Sequence, residues 1–169
     1  MKKHFVTSVL MLVAVAVGVS AQARKPSTPA GPFVVKNKQQ VSDIENALKQ
    51  KSGNANEDIV AAAGMQTRVA IFQDKNRVND LNEVHDGSDD IYYVLDGTAT
   101  LMLGGTLVEP NEISPGEWRA KTATGGEAVK IKKGDLIFVP RGTRHQRTVT
   151  DKKFSMILIK IFETKQPGK

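Results

Sequence analysis

The feature that most constrains the fold is a series of short segments rich in β-branched residues between positions 65 and 162. Glycine, asparagine, aspartate or proline separates each segment from the next, which is typical of β-strands joined by turns. The segments span residues 68–72, 81–85, 91–95, 98–103, 129–131, 136–139, 145–150 and 154–162. Eight strands at this spacing predict an all-β fold, either a sandwich or a barrel.

Two turns are predicted between these strands. Asp96-Gly97 separates two of the segments, and Asp-Gly flanked by strands is a strong signal for a two-residue hairpin. Lys133-Gly134-Asp135 predicts a second turn in the same way.

The composition limits both size and chemistry. A chain of 169 residues with 40% hydrophobic and 25% charged residues fits one folded domain. The chain has no cysteine, so disulfides and thiolate metal sites are excluded and any metal must bind nitrogen and oxygen. The net charge of +6 is scattered along the chain without an accompanying aromatic stripe, so no nucleic-acid partner is expected.

The first 23 residues have the pattern of a signal peptide. Two lysines precede an uncharged, mostly apolar stretch, and Ala21-Gln22-Ala23 forms a small-residue cleavage site. We expect cleavage after Ala23 and an exported protein, periplasmic or secreted. The alternative is a retained anchor, because about 20 uncharged residues approach the length that spans a bilayer. After cleavage no membrane association is expected.

The segment between the leader and the first strand is predicted to contain an extended arm and then a short helical region. Residues 24–41 are rich in proline, lysine and glutamine and predict an extended arm. Ser42 and Glu45 have the spacing of a capping box, and this predicts a short helix over about residues 42–51. A weaker helical turn is expected at 58–63, so that residues 42–64 form a short helical segment before a barrel at 65–163.

Two histidines remain outside the leader, and each lies on a predicted strand. Glu83 and His85 are two residues apart, so their side chains project from the same face of their strand. Asp90 opens the next strand, and His145 lies on a later one. If these faces point inward, carboxylates and imidazoles meet inside the barrel.

At these residues the sequence resembles the cupin superfamily. Glu83-x-His85-x4-Asp90-x6-Gly97 is a degenerate form of the first cupin motif, which usually begins His-x-His and ends with Glu and Gly. Gly134-x5-Pro140-x-Gly142-x2-His145 matches the second motif up to its final asparagine, where this chain has Val149. The resemblance covers about residues 65–162. It implies a double-stranded β-helix, the jelly-roll barrel also described as RmlC-like.

The resemblance also implies one divalent metal near the barrel mouth. By motif position its ligands are Glu83, His85, Asp90 and His145, and two of these four depart from the family pattern. Fe²⁺, Mn²⁺, Zn²⁺, Co²⁺ and Ni²⁺ all suit such a nitrogen and oxygen set. If the shorter Asp90 does not reach the ion, the set reduces to two histidines and Glu83. Glu83 can alternatively serve as a strand-end carboxylate in an ion pair.

Four further side chains are candidates for substrate chemistry. Tyr92 and Arg147 share faces with Asp90 and His145, and they could assist catalysis or serve only as a core ring and a rim charge. Trp118 and Arg119 lie in a long insertion at 104–127, and loops of this length are often functional. They could close over a ligand, or Trp118 could pack on the exterior.

Two functions are consistent with these residues. The first is an exported metal-dependent cupin that acts on a small organic molecule as a dioxygenase, isomerase or lyase. The second is a non-catalytic cupin that binds a sugar or another small ligand, since a fold does not fix a function. A homodimer formed by sheet extension at the N-terminal edge is also expected, because such pairing hides unpaired backbone amides.

Overall fold

The structure is a computed structural model that describes residues 25–150 and 153–168. The predicted signal peptide, residues 1–23, lies outside the described residues. Residues 25–36 contain no helix or strand and are exposed. The remainder contains one helix and twelve strands, as follows: α1 Lys38–Gln50, β1 Ala55–Val60, β2 Thr67–Asp74, β3 Asn82–His85, β4 Ser88–Leu103, β5 Thr106–Val108, β6 Asn111–Ser114, β7 Glu117–Ala120, β8 Thr122–Thr124, β9 Glu127–Lys132, β10 Leu136–Val139, β11 His145–Thr148 and β12 Phe154–Phe162.

The strands form two faces that share the long strand β4. The first half of β4 pairs with β10 and β12, and β12 continues to β2 and β1. The second half pairs with β9 and β11, and β11 continues through β3 and β7 to β6. All of these pairings are antiparallel, and the arrangement confirms the predicted all-β jelly-roll fold.

The apolar core lies between the two faces. All of its members except Val149, which follows β11, project from β4, β9, β10 and β12, as expected for strands with one buried side. The buried side chains are Tyr92, Val94, Ala99, Leu101, Ile131, Val139, Val149, Phe154, Met156 and Leu158. Burial of this apolar surface is the main favourable contribution to folding.

The predicted hairpin at Asp96-Gly97 is wrong, because both residues lie within β4. Gly97 has a φ of +82°, and the register against β12 shifts where Ser155 and Met156 meet β4. A β-bulge therefore lies at Leu95, two residues before Gly97, and across this segment β4 changes its partner from β10 to β9. The turn at Lys133-Gly134-Asp135 is confirmed between β9 and β10, where the Asp135 N–H donates to the Lys132 carbonyl at 3.0 Å.

We expect Gly97→Ala to destabilise the protein by about 2–3 kcal/mol, from left-handed strain plus overpacking. A Cβ atom at Gly97 would lie 2.4 Å from the Lys153 carbonyl oxygen, so the backbone of β12 would have to move. Gly53→Ala is the matched control, because Gly53 has a similar φ of +70° but no neighbour within 4 Å. Urea unfolding measures both variants, and equal losses of stability would contradict the role of the close contact.

Helix α1 begins earlier than predicted. The capping box is formed by Asn37 and Gln40, whose reciprocal hydrogen bonds are both 2.9 Å, and not by Ser42 and Glu45. Glu45 instead accepts a hydrogen bond from the Ser155 hydroxyl of β12. Asn37 is the N-cap because its side chain accepts a hydrogen bond from the backbone N–H of Gln40, in the first turn of the helix. The extended arm therefore ends at residue 36 and not at 41.

The helix packs on the outside of the sheet. Ile44 and Leu48 are buried against Ile71 of β2, while Ala47 is exposed. In the described part of the chain, no helix has the length and apolar character needed to cross a bilayer.

The second helical turn predicted at 58–63 is also wrong, since Ala55–Val60 forms β1. This strand pairs with β2 over five residues, so the sheet begins ten residues before the predicted barrel boundary at 65. Pairing with β2 supplies backbone partners that an isolated short turn lacks. Among the described strands, β1 pairs only with β2, and the homodimer expected at this edge stays a prediction.

The insertion at 104–127 is not an irregular loop. It contains the short strands β5, β6, β7 and β8, with β5 paired to β8. Strand β7 pairs with β3 in the register Glu83 opposite Arg119 and His85 opposite Glu117. The insertion therefore adds charged side chains directly beside the two motif residues of β3.

Candidate metal centre

The two predicted motifs converge because β3 and β11 are neighbours. His145 of β11 lies opposite Glu83 of β3, so the two motif segments share one edge of the barrel interior. His85 follows on the same face of β3, and both histidines are buried, with 6% and 5% of their surfaces exposed. Two histidines far apart in sequence thus come together only through this strand pair.

Three of the four predicted ligands lie within reach of one cation. Glu83, His85 and His145 each offer a ligand atom, and these atoms all lie within 4.8 Å of one another. Glu83 Oε2 is 3.5 Å from His85 Nε2 and 3.8 Å from His145 Nε2. The two imidazole centroids are 5.0 Å apart.

These separations are compatible with coordination. With metal–ligand bonds of about 2.1 Å, two ligands lie about 3.4 Å apart at a tetrahedral angle and about 4.2 Å apart when opposite. The two measured distances from Glu83 fall inside this interval. The residues present therefore fit a divalent cation through two imidazoles and one carboxylate.

Hydrogen bonds at the far nitrogens orient both histidines. His85 Nδ1 lies 2.6 Å from Glu117 Oε2, and His145 Nδ1 lies 3.0 Å from the Thr143 carbonyl oxygen. Because both oxygens only accept, each Nδ1 carries a proton and donates it, an arrangement that directs Nε2 and its lone pair toward the centre. Such partners of metal-binding histidines fix the tautomer and the ring orientation.

Asp90 occupies a different environment from the other three. Its Oδ2 lies 3.7 Å from His85 Nε2 and 3.9 Å from His145 Nε2 and accepts a hydrogen bond from the Tyr92 hydroxyl at 3.1 Å. Its Oδ1 lies 2.7 Å from Lys160 Nζ. The carboxylate thus already has a cationic partner within the protein.

The other carboxylates are also paired with cations. Glu83 Oε1 lies 3.8 Å from Arg77 Nη2, and Glu83 Oε2 lies 3.5 Å from Arg119 Nη2. Glu117 Oε2 lies 3.5 Å from Arg119 Nη1. Burial is the largest single influence on the Glu117 carboxyl and raises its pKa. The hydrogen bond with His85, together with the charges of His85, Lys160 and Arg119, outweighs burial, so the pKa is lower than usual. Each carboxylate of the centre therefore has a cationic side chain of the protein nearby.

Tyr92 and Arg147, the two side chains suggested for catalysis, are both buried. Burial, followed by the neighbouring Asp90 charge, raises the pKa of Tyr92 far above its usual range, so the phenol stays protonated. Arg147 donates through Nε to Asp74 at 2.7 Å, and its guanidinium lies 5.8 Å from the Tyr92 ring centroid. Burial alone would lower the pKa of Arg147, but Asp74 raises it. Both side chains line the cavity beside the centre.

Of the two suggested ligand-binding residues, the structure places only Arg119 at the cavity. Arg119 projects from the same face of β7 as Glu117 and lines the cavity. Trp118 lies between them on the opposite face, and its indole N–H donates to Asp86 at 2.7 Å. Alternation along the short strand β7 therefore separates two neighbours that the sequence grouped in one loop.

Sequence reasoning missed several charged residues at the cavity, most clearly Lys160, Glu117 and Arg77. Lys160 carries a readable signal, because it follows Met156 and Leu158 at alternate positions of an otherwise apolar strand face. Glu117 and Arg77 carry no comparable signal, since their positions depend on pairing with distant strands.

The metal-free protein is expected to lose stability below about pH 6.5 through His145. Burial lowers the pKa of His145 in the folded state. Between the folded and unfolded pKa values the unfolded chain binds more protons, so stability increases with pH in that window. Thermal melts at about pH 5.5 and about pH 7.5 should therefore show a larger rise in Tm for the wild type than for His145→Gln. An equal rise in both proteins would contradict this expectation.

No protein-family model matches the sequence, and neither does any curated protein. Among solved structures, the TT1209 protein of Thermus thermophilus is similar at a TM-score of 0.52 with 15% identity, over 77% of this chain and 98% of that one. KdgF from a Halomonas species has a TM-score of 0.48 and 14% identity, over 68% and 85% of the two chains. A predicted oxalate decarboxylase of Thermotoga maritima has a TM-score of 0.48 and 18% identity, over 64% and 80%.

At these identities the comparisons concern the fold alone. The strand order, the two motifs on β3–β4 and β10–β11, and the structural similarity agree with one another. The described residues therefore have a jelly-roll fold similar to that of the Thermus thermophilus protein.

Proposed function

We propose that this protein binds one divalent metal ion in the barrel and acts on a small organic molecule. The observation that carries the proposal is the convergence of Glu83, His85 and His145, whose ligand atoms lie within 4.8 Å of one another. Two histidines and one carboxylate are also the ligand types of non-haem iron oxygenases. The metal and the reaction type, among dioxygenase, isomerase and lyase chemistry, are left to experiment.

In this proposal three residues bind the metal ion, and two others shape the cavity beside it. Glu83 Oε2 and the Nε2 atoms of His85 and His145 would hold the ion, with Fe²⁺, Mn²⁺, Zn²⁺, Co²⁺ and Ni²⁺ as candidates. A bound ion would supply Lewis acidity toward a substrate oxygen or a water molecule. Tyr92 holds Asp90 through a hydrogen bond, and Arg147 remains paired with Asp74. Both buried groups therefore shape the cavity and can exclude water from it.

We propose in addition that the protein works outside the cytoplasm. The support is the leader pattern of residues 1–23. Expression of the full chain, followed by fractionation and N-terminal sequencing, tests this proposal. A mature N-terminus at Arg24 supports it, whereas an intact leader in the cytoplasmic fraction contradicts it.

Metal binding is tested by titrating the chelator-treated protein with Mn²⁺, Zn²⁺ and Ni²⁺ separately. Isothermal titration calorimetry should give one site per chain for at least one ion, and elemental analysis after dialysis should agree. Binding that is equally strong in the double variant His85→Ala/His145→Ala would place the metal elsewhere and contradict the proposal.

Glu117→Gln is expected to reduce metal affinity by about tenfold, because the partner of His85 Nδ1 tunes the basicity and orientation of the ring. Glutamine keeps the size of the side chain but removes its charge. Glu163→Gln is the matched control, since Glu163 is exposed. Calorimetric titration of both variants measures the effect, and an unchanged affinity in Glu117→Gln would show that this hydrogen bond does not support the centre.

A non-catalytic cupin that binds a sugar or another small ligand is the second candidate. One observation favours it: Lys160, Arg77 and Arg119 already neutralise the carboxylates of the centre, so the site does not need a metal for charge balance. If titration shows ligand binding by the metal-free protein and no bound ion, this second function replaces the first.

A further inference from the structure

The cavity beside the candidate metal centre is lined by more cationic than anionic side chains. Its volume is about 280 Å³, close to the lower limit of about 300 Å³ for small-molecule pockets. Five cations and three carboxylates line it, and three of the cations also pair with acids outside the lining. The cations are Arg68, Arg77, Arg119, Arg147 and Lys160, and the carboxylates are Glu83, Asp90 and Glu117.

Most of these cations are committed to close partners. Arg68 donates to Asp58 at 2.8 Å, and Arg147 donates to Asp74 at 2.7 Å. Lys160 lies 2.7 Å from Asp90. Arg77 pairs with Asp80 at the rim. The charges of these four cations are therefore offset by acids that the structure already provides, and Arg119 is the lining cation that has no short ion pair.

Arg119 is held less tightly toward the cavity. Its Nη2 lies 3.5 Å from Glu83 Oε2, and its contacts with Glu117 Oε2 are also 3.5 Å. A charge-assisted hydrogen bond is usually about 2.7–2.9 Å long. The guanidinium can therefore turn toward a ligand without breaking a short ion pair, while its hydrogen bond to the Trp118 carbonyl keeps it near the cavity.

Glu83 links Arg119 to the metal centre. The oxygen that faces Arg119 is the same Oε2 that lies 3.5 Å from His85 Nε2 and 3.8 Å from His145 Nε2. When Glu83 is engaged by a divalent ion, its charge is no longer available to Arg119. The net positive charge of the cavity rises at the same time.

We infer that the ligand of this cavity is a small organic carboxylate, that Arg119 binds its anionic group, and that the anion and the metal bind cooperatively through Glu83. The coupling between them rests on the proposed metal function. Since coupling free energies are reciprocal, the anion must strengthen metal binding by the same factor by which the metal strengthens anion binding.

Malonate and its uncharged analogue malonamide are suitable probes, because they are similar in size and differ in charge. Each is titrated into the metal-free protein and into the protein loaded with the ion that binds most tightly. We expect malonate to bind the loaded protein about tenfold more tightly than the metal-free protein, within the usual range of coupling. Malonamide should bind neither form measurably.

Arg119→Gln isolates the proposed contact. We expect this variant to weaken malonate binding about tenfold and to leave metal affinity unchanged or higher, because Arg119 competes for Glu83. Arg141→Gln removes the same charge from the exterior, where Arg141 pairs with Asp89, and should bind malonate as the wild type does. Circular dichroism and melting curves establish that both variants fold.

The outcomes separate this inference from the metal proposal. Equal binding of malonate and malonamide, or equal losses in Arg119→Gln and Arg141→Gln, would overturn the anion inference even if the metal binds. A loss of metal affinity in Arg119→Gln as large as the loss of malonate affinity would also overturn it. If no metal binds, the metal proposal fails and the coupling with it. In that case, the metal-free protein can still bind malonate through Arg119, and such binding would support an anionic ligand without the coupling. If the metal-free protein does not bind malonate, the anionic ligand is overturned as well.

Discussion

His145→Ala is expected to reduce the affinity for a divalent cation by at least about 100-fold, since loss of a supporting partner alone costs about 10–100-fold and this change removes a ligand. The variant leaves Glu83 and His85, and two ligands hold an ion much more weakly than three. The imidazole is buried, with 5% of the residue surface exposed, and its Nε2 lies 3.8 Å from Glu83 Oε2. Calorimetric titration of the chelator-treated variant measures the loss.

Gln146→Ala is the control for this experiment. Gln146 is adjacent on β11, and its side chain points to the other face, where it donates to the Asp80 carbonyl. The control should bind metal as the wild type does, and its melting curve shows whether a change in β11 alone disturbs the barrel. Metal affinity within about threefold of wild type in a folded His145→Ala protein would remove His145 from the ligand set.

Phe154→Ala is expected to lower the free energy of unfolding by about 3–5 kcal/mol, the usual cost of removing a buried phenylalanine. Phe154 is completely buried and packs in the core between the two faces. It also lies opposite Gly97, near the bulge of β4. Alanine would leave a cavity at the point where the two halves of the barrel are joined, and the surrounding side chains can fill it only in part.

Phe138→Ala provides the comparison within the same residue type. Phe138 lies on β10 with 59% of its surface exposed, so its truncation should change stability by less than about 1 kcal/mol. Urea unfolding with the linear extrapolation method measures both variants, provided that the slope with denaturant stays constant. Similar losses in the two variants would show that the core between the faces is not the main source of stability.

Much of the fold was predictable because strands leave a local signal. The alternation and turn residues placed β10 at 136–139 and β12 at 154–162, and the structure has the same bounds. The second motif was equally readable, since its glycines, proline and histidine lie within twelve consecutive residues. Such patterns depend on backbone conformation and on the burial of one face, both of which nearby residues determine.

The errors occurred where one local pattern is compatible with two structures. Asp96-Gly97 is typical of a hairpin, but here β4 continues through both residues, because it pairs with β12 up to Gly97 and with β9 from Thr98 onward. Residues 58–60 form part of β1, and not a helical turn, because their backbone pairs with the edge of β2. Neither partner can be identified from the local sequence.

The sequence by itself determined the all-β class, the bounds of several strands and the histidines that a metal centre would use. The tertiary structure alone decided which charges surround them. Lys160 is paired with Asp90 and Arg119 lies near Glu83, although long stretches of chain separate the members of each pair. Electrostatic energy depends on distance in space and on burial, and only the folded register of β3, β4, β7 and β12 sets those distances.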